Sequence, residues 1–420
     1  MRLPPALQHR DFRVFWTGAL FSAVGTQFTM VAMAWHVYDL TGSALQVGLL
    51  GLGRAVPQIG FAILGGLIAD TMDRKRLMIL LQIVQCAVSA VLAWLTLIGS
   101  ISPQTLLAGA VLFAFSSAIE APIRQAVVPN LVPREHIRSA VALATMERSL
   151  GLILGPALAG LMISLVGPEL CYGADAASWL IMVAALLLIH RPLQVSSVAQ
   201  VSMRALTEGV RFVKRQPVIL PFMILDFGAT LFGAIYALLP IYAEEVLAVG
   251  PVGYGLLYAA PSIGGVVAGA ALSGPVNIDR AGAWVLIGVA FYGACTALFA
   301  VSTVLWLSVL ALAGTGVGNI ISAVLRGTSN QLLTPDELRG RVAAVNTAFV
   351  TGGPQLGQFR SGAVAALVGV ELSALTGGVG VLLLAGAIWL LPKVRTFTFS
   401  SLAPPSEEPL AAGDSGVRIG

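Results

Sequence analysis

The sequence predicts an all-α membrane protein with twelve transmembrane helices in two six-helix pseudo-repeats. Three observations lead to this fold class. Hydrophobic residues make up 57% of the 420 residues and charged residues only 10%, with a mean hydropathy of +0.88, which leaves too few charges to cover a soluble globule. The apolar residues fall into runs long enough to cross a bilayer. Several residues of the first half also recur in register in the second half.

Each apolar run is close to the roughly 20 residues that a helix needs to cross the hydrocarbon core. The first run follows Arg2, Arg10 and Arg13 and is too long for a signal-peptide core, so we expect an uncleaved amino terminus in the cytoplasm. The predicted spans cover about residues 14–38, 45–69, 76–99, 104–128, 140–166, 170–190, 217–242, 252–274, 282–302, 304–329, 342–369 and 373–392.

The distribution of lysine and arginine predicts the same topology independently, because cytoplasmic loops collect these residues. The connections predicted outside, such as those near Asp39, Ser100 and Glu169, contain neither residue. Outside the spans, lysine and arginine occur in the termini and in the loops 70–76, 129–139, 190–216, 275–281 and 330–341. We therefore expect both termini in the cytoplasm.

An internal repeat divides the chain into two halves. With unchanged spacing, Arg124, Pro133, Glu135, Gly151, Gly155 and Gly160 recur as Arg326, Pro335, Glu337, Gly353, Gly357 and Gly362. Duplicated halves with a substrate path between them are a known transporter architecture. The predicted parts are a first half at 1–190, a cytoplasmic linker with a short amphipathic helix at 191–216, a second half at 217–392 and a disordered cytoplasmic tail at 393–420.

The sequence contains no pattern typical of an enzyme. HExxH, paired histidine ligands, Gly-x-Ser-x-Gly and a phosphate-binding loop are all absent, so we expect no catalytic residue, no cofactor and no metal. The net charge of +4 comes from cations beside apolar runs, so no nucleic-acid partner is expected. Without a nucleotide site, any transport would draw on an ion gradient or run downhill.

The loop between the second and third predicted spans contains a glycine, an acid four residues later and a cluster of cations. These residues are Gly66, Asp70, Arg74, Lys75 and Arg76. Their spacing resembles the signature loop of the major facilitator superfamily, although Thr71 and Asp73 depart from the family pattern. The resemblance implies a gating loop, in which Asp70 and the cations near it clasp the cytoplasmic side in one conformational state.

The fifth predicted span resembles the Gly-x-x-x-Gly-Pro-x-x-Gly-Gly motif of exporters in this superfamily. In the family this motif marks antiporters, which favours export. Close helix packing at small residues, with a local bend at the proline, explains the same residues without that function. The matching residues are Gly151, Gly155, Pro156 and Gly160, with Ala159 in place of one glycine.

Stretches at 10–13, 121–135 and 208–213 resemble the branch that contains the enterobactin exporter and related bacterial efflux proteins. The resemblance implies a monomer in the bacterial cytoplasmic membrane, with the lipid bilayer around it, that exports an amphipathic small molecule in exchange for protons. A siderophore or a hydrophobic drug is the implied substrate. An importer or facilitator of a small solute is the alternative among transporters. A non-transporting membrane scaffold is the alternative from another class.

Ionisable residues inside the spans are the candidates for this chemistry, because each costs roughly 2.5–3.5 kcal/mol at mid-helix unless it is paired or hydrated. Asp226 lies near mid-span with no basic residue within one turn, and Arg54 lies at a similar depth in the other half. Glu120 and Arg124 lie one turn apart on one helical face. These four residues are the proton-coupling candidates, and structural ion pairing is the alternative. The full set is Arg54, Glu120, Arg124, Glu147, Arg148, Asp175, Asp226, Arg326 and Arg360.

Overall fold

Helices account for almost all of the computed structural model. It describes residues 4–71, 73–191, 193, 203–274 and 278–402. Of the side chains in these ranges, those of 61–71, 203–206 and 402 are not described. Each helix of the first half matches one predicted span to within a few residues. These helices are α1 Arg10–Thr41, α2 Ala44–Thr71, α3 Arg74–Leu97, α4 Pro103–Asn130, α5 Ile137–Leu165 and α6 Pro168–Leu188.

The second half repeats this arrangement after a helix in the linker. Within the described ranges, nine helices of the chain are long and apolar enough to cross a bilayer. The predicted all-helical fold is confirmed, and the order of its helices is consistent with two six-helix repeats. The helices are α7 Met203–Arg215, α8 Ile219–Gly233, α9 Leu239–Ile241, α10 Gly250–Leu272, α11 Ala281–Ala300, α12 Leu305–Leu333, α13 Arg339–Val368, α14 Val370–Trp389 and α15 Pro392–Arg395.

Short capped turns reverse the chain at the two ends of the bundle. Gly42 ends α1 at φ 59°, a left-handed conformation that glycine adopts without strain. Asp73 caps α3 by accepting a hydrogen bond from the N–H of Arg76 at 2.9 Å. We call the end with the amino terminus, the linker and residues 131–136 and 334–338 the linker face. The end with residues 42–43, 98–102, 166–167 and 301–304 is the opposite face.

Helix packing follows the repeat. In the first half α1 packs on α5 and α6, α3 on α6, and α2 on α4; in the second half α8 packs on α13 and α14, α11 on α14, and α10 on α12. Two further contacts, α2 with α13 and α5 with α10, join the halves and are related by the same repeat. These four helices, in two equivalent pairs, therefore form most of the interface between the halves.

The seventh predicted span, 217–242, is broken where the sequence predicted one continuous helix. It consists of α8, an irregular stretch at 234–238, the short α9 and a π-helical turn, Tyr242–Val246. Pro240 has no N–H to continue the helical ladder. The carbonyls freed at the end of α8 are satisfied from other helices, because Arg360 donates to Phe232 at 3.0 Å and Tyr292 donates to Gly233 at 2.8 Å.

The linker helix α7 lies across the linker face and meets α8 at 102°. Val213 is buried against α8 and α13, whereas Lys214 and Arg215 are exposed. Glu208 of α7 forms an ion pair with Arg341 of α13. The buried side of this helix thus packs on α8 and α13.

The prediction of a disordered tail from residue 393 is wrong for residues 393–402. Val394 and Phe397 are buried, and the Phe397 ring packs edge-on against Phe222 of α8 at 6.4 Å. The N–H of Ser400 donates to Asp279 at 2.8 Å. The few apolar residues of this segment therefore bind it to the linker face, and the rest of the predicted tail, 403–420, lies outside the described residues.

Candidate functional site

A cavity of about 1000 Å³ lies between the two halves. Its walls come from α5 of the first half and from α8, α10, α11, α12 and α13 of the second. Tyr236, in the break of the seventh span, lines its inner part, and Thr145 and Ser273 line it near the linker-face ends of α5 and α10. The cavity therefore extends from the helix break toward the linker face.

Two equivalent glycine contacts hold the halves together at the opposite face. A Cβ on Gly160 of α5 would lie 2.4 Å from a backbone oxygen of α10 and 3.0 Å from the Cα of Gly255. A Cβ on Gly362 of α13 would lie 2.5 Å from a backbone oxygen of α2 and 2.8 Å from the Cα of Gly48. Gly160 and Gly362 are counterparts in the internal repeat, so the two contacts are equivalent. The absence of side chains at these positions lets the halves close.

Polar and aromatic contacts add to this closure. The Tyr38 hydroxyl of α1 donates to Glu245 of the second half at 2.5 Å. The Tyr254 hydroxyl donates to the carbonyl of Val31 at 3.2 Å, and its ring lies 5.5 Å from that of Trp35. The protein is thus closed at the opposite face while its cavity reaches the linker face.

Valine at Gly160 is expected to prevent this closure and shift the protein toward a state open at the opposite face, because the added atoms would meet the backbone of α10. A cysteine at Val47, which is 2% exposed here, should then react faster with a membrane-impermeant maleimide on a background without other cysteines. Valine at Gly386 is the matched control, since a Cβ there meets nothing within 4 Å. Equal labelling in the two variants would contradict this role.

Two glycines of the exporter-like motif pack within the first half. A Cβ on Gly151 would lie 3.0 Å from that of Ala23, and a Cβ on Gly155 would lie 2.4 Å from that of Gln27, both on α1. Helix packing accounts for these two glycines. The carbonyl of Pro156 and the backbone of Gly160 instead lie against α10 of the second half.

Two carboxylates share one arginine in the first half. Arg124 donates to Glu147 at 2.9 Å, and its other terminal nitrogen lies 3.8 Å from Glu120. Gln82 and Gln85 of α3 donate to the two oxygens of Glu120 at 2.9 and 3.1 Å. Glu120 and Glu147 are only 6% and 5% exposed. When both acids are ionised, this buried cluster carries one net negative charge, and a single proton neutralises it.

Asp226 has a partner that its sequence neighbourhood does not show. Arg326 of α12 lies 2.5 Å from its carboxylate, and both side chains are about 10% exposed. The partner suggested by depth, Arg54, does not pair with it. The internal repeat could have indicated that Arg326 pairs with a carboxylate. Arg326 is the counterpart of Arg124, and Arg124 also forms an ion pair with a carboxylate.

The remaining ionisable residues of the spans differ in their surroundings. Asp175 accepts hydrogen bonds from Thr29 and Ser89, both at 2.6 Å, and so joins α1, α3 and α6. Arg360 is bonded to the end of α8 as described above, and Arg148 is exposed. Arg54 is buried, and its Nε has no hydrogen-bond partner among the side chains that the structure describes. Glu147, one of the ionisable residues that the sequence placed inside a span, is part of the shared arginine cluster.

The predicted gating loop is described in part. The Asp70 side chain lies outside the described residues, and the backbone at Gly66 belongs to α2. Arg74 is buried at the start of α3, and Lys75 donates to the carbonyl of Ile189 at 2.8 Å, which links α3 to the end of α6. The N–H of Arg76 takes part in the cap of α3.

Comparison with known proteins finds relatives along nearly the whole chain. The family model described as transmembrane secretion effector matches residues 3–414. The enterobactin exporter EntS of Shigella boydii serotype 18 is 27% identical over 403 residues, which are 94% of this chain and 95% of that protein. The exporter of the same name from Escherichia coli O81 matches with the same identity and coverage.

Solved structures share the fold at much lower identity. The nucleoside transporter NupG has a TM-score of 0.73 and 13% identity, covering 91% of this chain and 99% of that one. A bacterial homologue of the human lysosomal transporter Spinster, in an inward-facing and occupied conformation, has a TM-score of 0.72 and 13% identity, with coverage of 94% and 98%. At this identity the likeness shows the fold alone.

Proposed function

Because this chain belongs to the transmembrane secretion effector family of the major facilitator superfamily, we propose that it exports an amphipathic small molecule from the bacterial cytoplasm in exchange for protons. Family membership makes the chain a multi-pass transporter. Its direction, its coupling ion and its substrate are the proposal. The likeness to enterobactin exporters supports export, and siderophores and hydrophobic drugs are the first substrates to test.

The observation that carries the proposal is a closed opposite face combined with a cavity that reaches the linker face. Lysine and arginine are concentrated in the termini and loops of the linker face, which supports a cytoplasmic location for this face and for both termini. Substrate would then enter the cavity from the cytoplasm. Separation of the glycine contacts would release it on the other side.

We assign the transported proton to Glu147. Both oxygens of Glu120 accept hydrogen bonds from glutamines, whereas Glu147 is bonded to Arg124 alone within the described chain. Protonation of Glu147 leaves Arg124 with a second carboxylate 3.8 Å away. Protonation of Asp226 would instead leave Arg326 buried without its counter-charge, which is strongly unfavourable.

Glu147 is also well placed to connect the proton to the movement of the halves. It lies on α5, the helix whose Gly160 contacts α10. Its ion pair with Arg124 joins α5 to α4. Neutralising Glu147 weakens that link, and deprotonation restores it. If the proton affinity of Glu147 differs between two arrangements of α5, binding of the proton shifts the populations of these arrangements. Such a shift is the requirement for coupling.

Inverted membrane vesicles test direction and coupling together. With an acidic lumen, we expect them to accumulate a siderophore or dye from a panel, and a protonophore should abolish the accumulation. Vesicles without the protein are the control. Accumulation that persists with the protonophore would contradict proton coupling. Accumulation in right-side-out vesicles alone would identify an importer.

A further inference from the structure

The cavity between the halves has no acidic or basic side chain among its described lining residues. On the helices of its walls, Glu147 of α5 is paired with Arg124, and Asp226 of α8 is paired with Arg326 of α12. Arg148 is exposed on α5 but does not line the cavity. A molecule that brings a charge into this cavity would therefore give up hydration without gaining a counter-charge from the described wall.

Most hydroxyl groups of the cavity wall are already used within the protein. Each of them donates a hydrogen bond to a backbone carbonyl at a distance between 2.6 and 3.1 Å, and so keeps only its capacity to accept. These hydroxyls belong to Thr145, Ser149, Thr230, Ser273, Tyr292 and Thr315.

Three other polar side chains of the wall form no hydrogen bond with any described residue. They are Tyr236 in the break of the seventh span, Ser262 of α10 and Asn319 of α12. Asn319 is exposed, and the other two are half-buried. A phenol and a serine hydroxyl can each donate and accept, and an amide offers two donors and an acceptor. These groups are therefore available to a molecule in the cavity.

The three groups come from segments that meet at one part of the cavity. The ring of Tyr236 lies 4.7 Å from that of Tyr258, which is one turn before Ser262 on α10. A Cβ on Gly316, three residues before Asn319, would meet the carbonyl oxygen of α10 at the residue before Ser262. The helix break, α10 and α12 thus bring a phenol, a hydroxyl and an amide to the same region.

On the basis of the proposed function, we propose that Tyr236, Ser262 and Asn319 bind an uncharged polar group of the exported molecule. The substrate class is then an apolar or aromatic molecule that carries phenol, amide or ester groups and no ionised group. The ring of Tyr236 offers an aromatic surface beside the hydrogen-bonding groups. Asn319 determines specificity, because its amide both donates and accepts without supplying a counter-charge.

Three molecules with the same dansyl fluorophore test this assignment: dansylamide, which is uncharged, dansyl sulfonate, an anion, and dansylcadaverine, a cation. Binding to the purified full-length protein is measured by equilibrium dialysis with equal detergent on both sides, so that partition into micelles cancels. We expect wild type to bind dansylamide about tenfold or more tightly than either charged molecule, because neither charge finds a partner in the wall.

Substitutions of Asn319 should change these affinities in opposite ways. Asn319→Ala should weaken dansylamide binding about fivefold, because it removes a hydrogen-bonding group from the wall. Asn319→Asp should bind dansylcadaverine more tightly than wild type does, since a carboxylate of nearly the same shape supplies a counter-charge. Both variants should keep the wild-type melting temperature, because Asn319 has no hydrogen bond within the described chain.

Asn330→Ala is the matched control. Asn330 lies on the same helix, does not line the cavity and donates to Asn346 at 3.4 Å. We expect this variant to bind all three dansyl molecules with wild-type affinity.

Equal dansylamide affinity in wild type and Asn319→Ala would overturn the assignment. Wild-type binding of either charged molecule as tightly as dansylamide would also overturn it, and so would a failure to bind dansylamide. The vesicle measurement of proton-driven export does not depend on these molecules, so the proposed function stands or falls separately.

Discussion

Glu147→Gln is expected to abolish proton-driven export while leaving substrate binding intact. The amide has nearly the shape of a protonated carboxyl but cannot release a proton. Arg124 keeps Glu120 as a counter-charge, so the variant should fold normally. Accumulation in inverted vesicles with an acidic lumen should fall to the level of vesicles without the protein. Substrate added to the purified variant should release no protons.

Glu120→Gln is the comparison variant, because Glu120 is the other carboxylate near Arg124. This substitution removes the carboxylate that accepts hydrogen bonds from Gln82 and Gln85. We therefore expect it to lower the melting temperature as well as the transport activity. Proton release of wild-type size from Glu147→Gln would contradict the assignment of the proton to that residue. Loss of release in a folded Asp226→Asn protein, with normal release in Glu147→Gln, would identify Asp226 instead.

Asp226→Asn is expected to have the largest effect on stability. The substitution leaves Arg326 buried without its counter-charge, and breaking a buried ion pair in this way costs about 3–5 kcal/mol. The same pair joins α8 to α12. A clear fall in the melting temperature of the protein in detergent is the measurement that checks this expectation.

The double variant Asp226→Asn with Arg326→Gln separates pairing from other roles of the acid. Removing both charges also removes the unpaired cation, so we expect the double variant to melt above Asp226→Asn alone. Additive losses, with the double variant the least stable, would show that the pair does not stabilise the fold.

The all-helical fold and the positions of most of its long apolar helices were predictable from the sequence alone. Each depends on local composition, because a bilayer demands about 20 apolar residues per crossing and collects cations on one side. The recurring glycines were also visible, although not their pairing: Gly160 with Gly255 and Gly48 with Gly362 are contacts between halves.

The partners of the buried charges were decided only by the tertiary structure. Asp226 is far in sequence from Arg326, and Glu147 meets Arg124 across two helices. These pairings depend on how each helix rotates about its axis, and a helix that is apolar on all sides carries little periodic signal of that rotation. The break in the seventh span has the same origin, because Arg360 and Tyr292 satisfy its free carbonyls from other helices. Sequence identified the charged residues, and packing between distant segments determined which of them are neutralised by a partner.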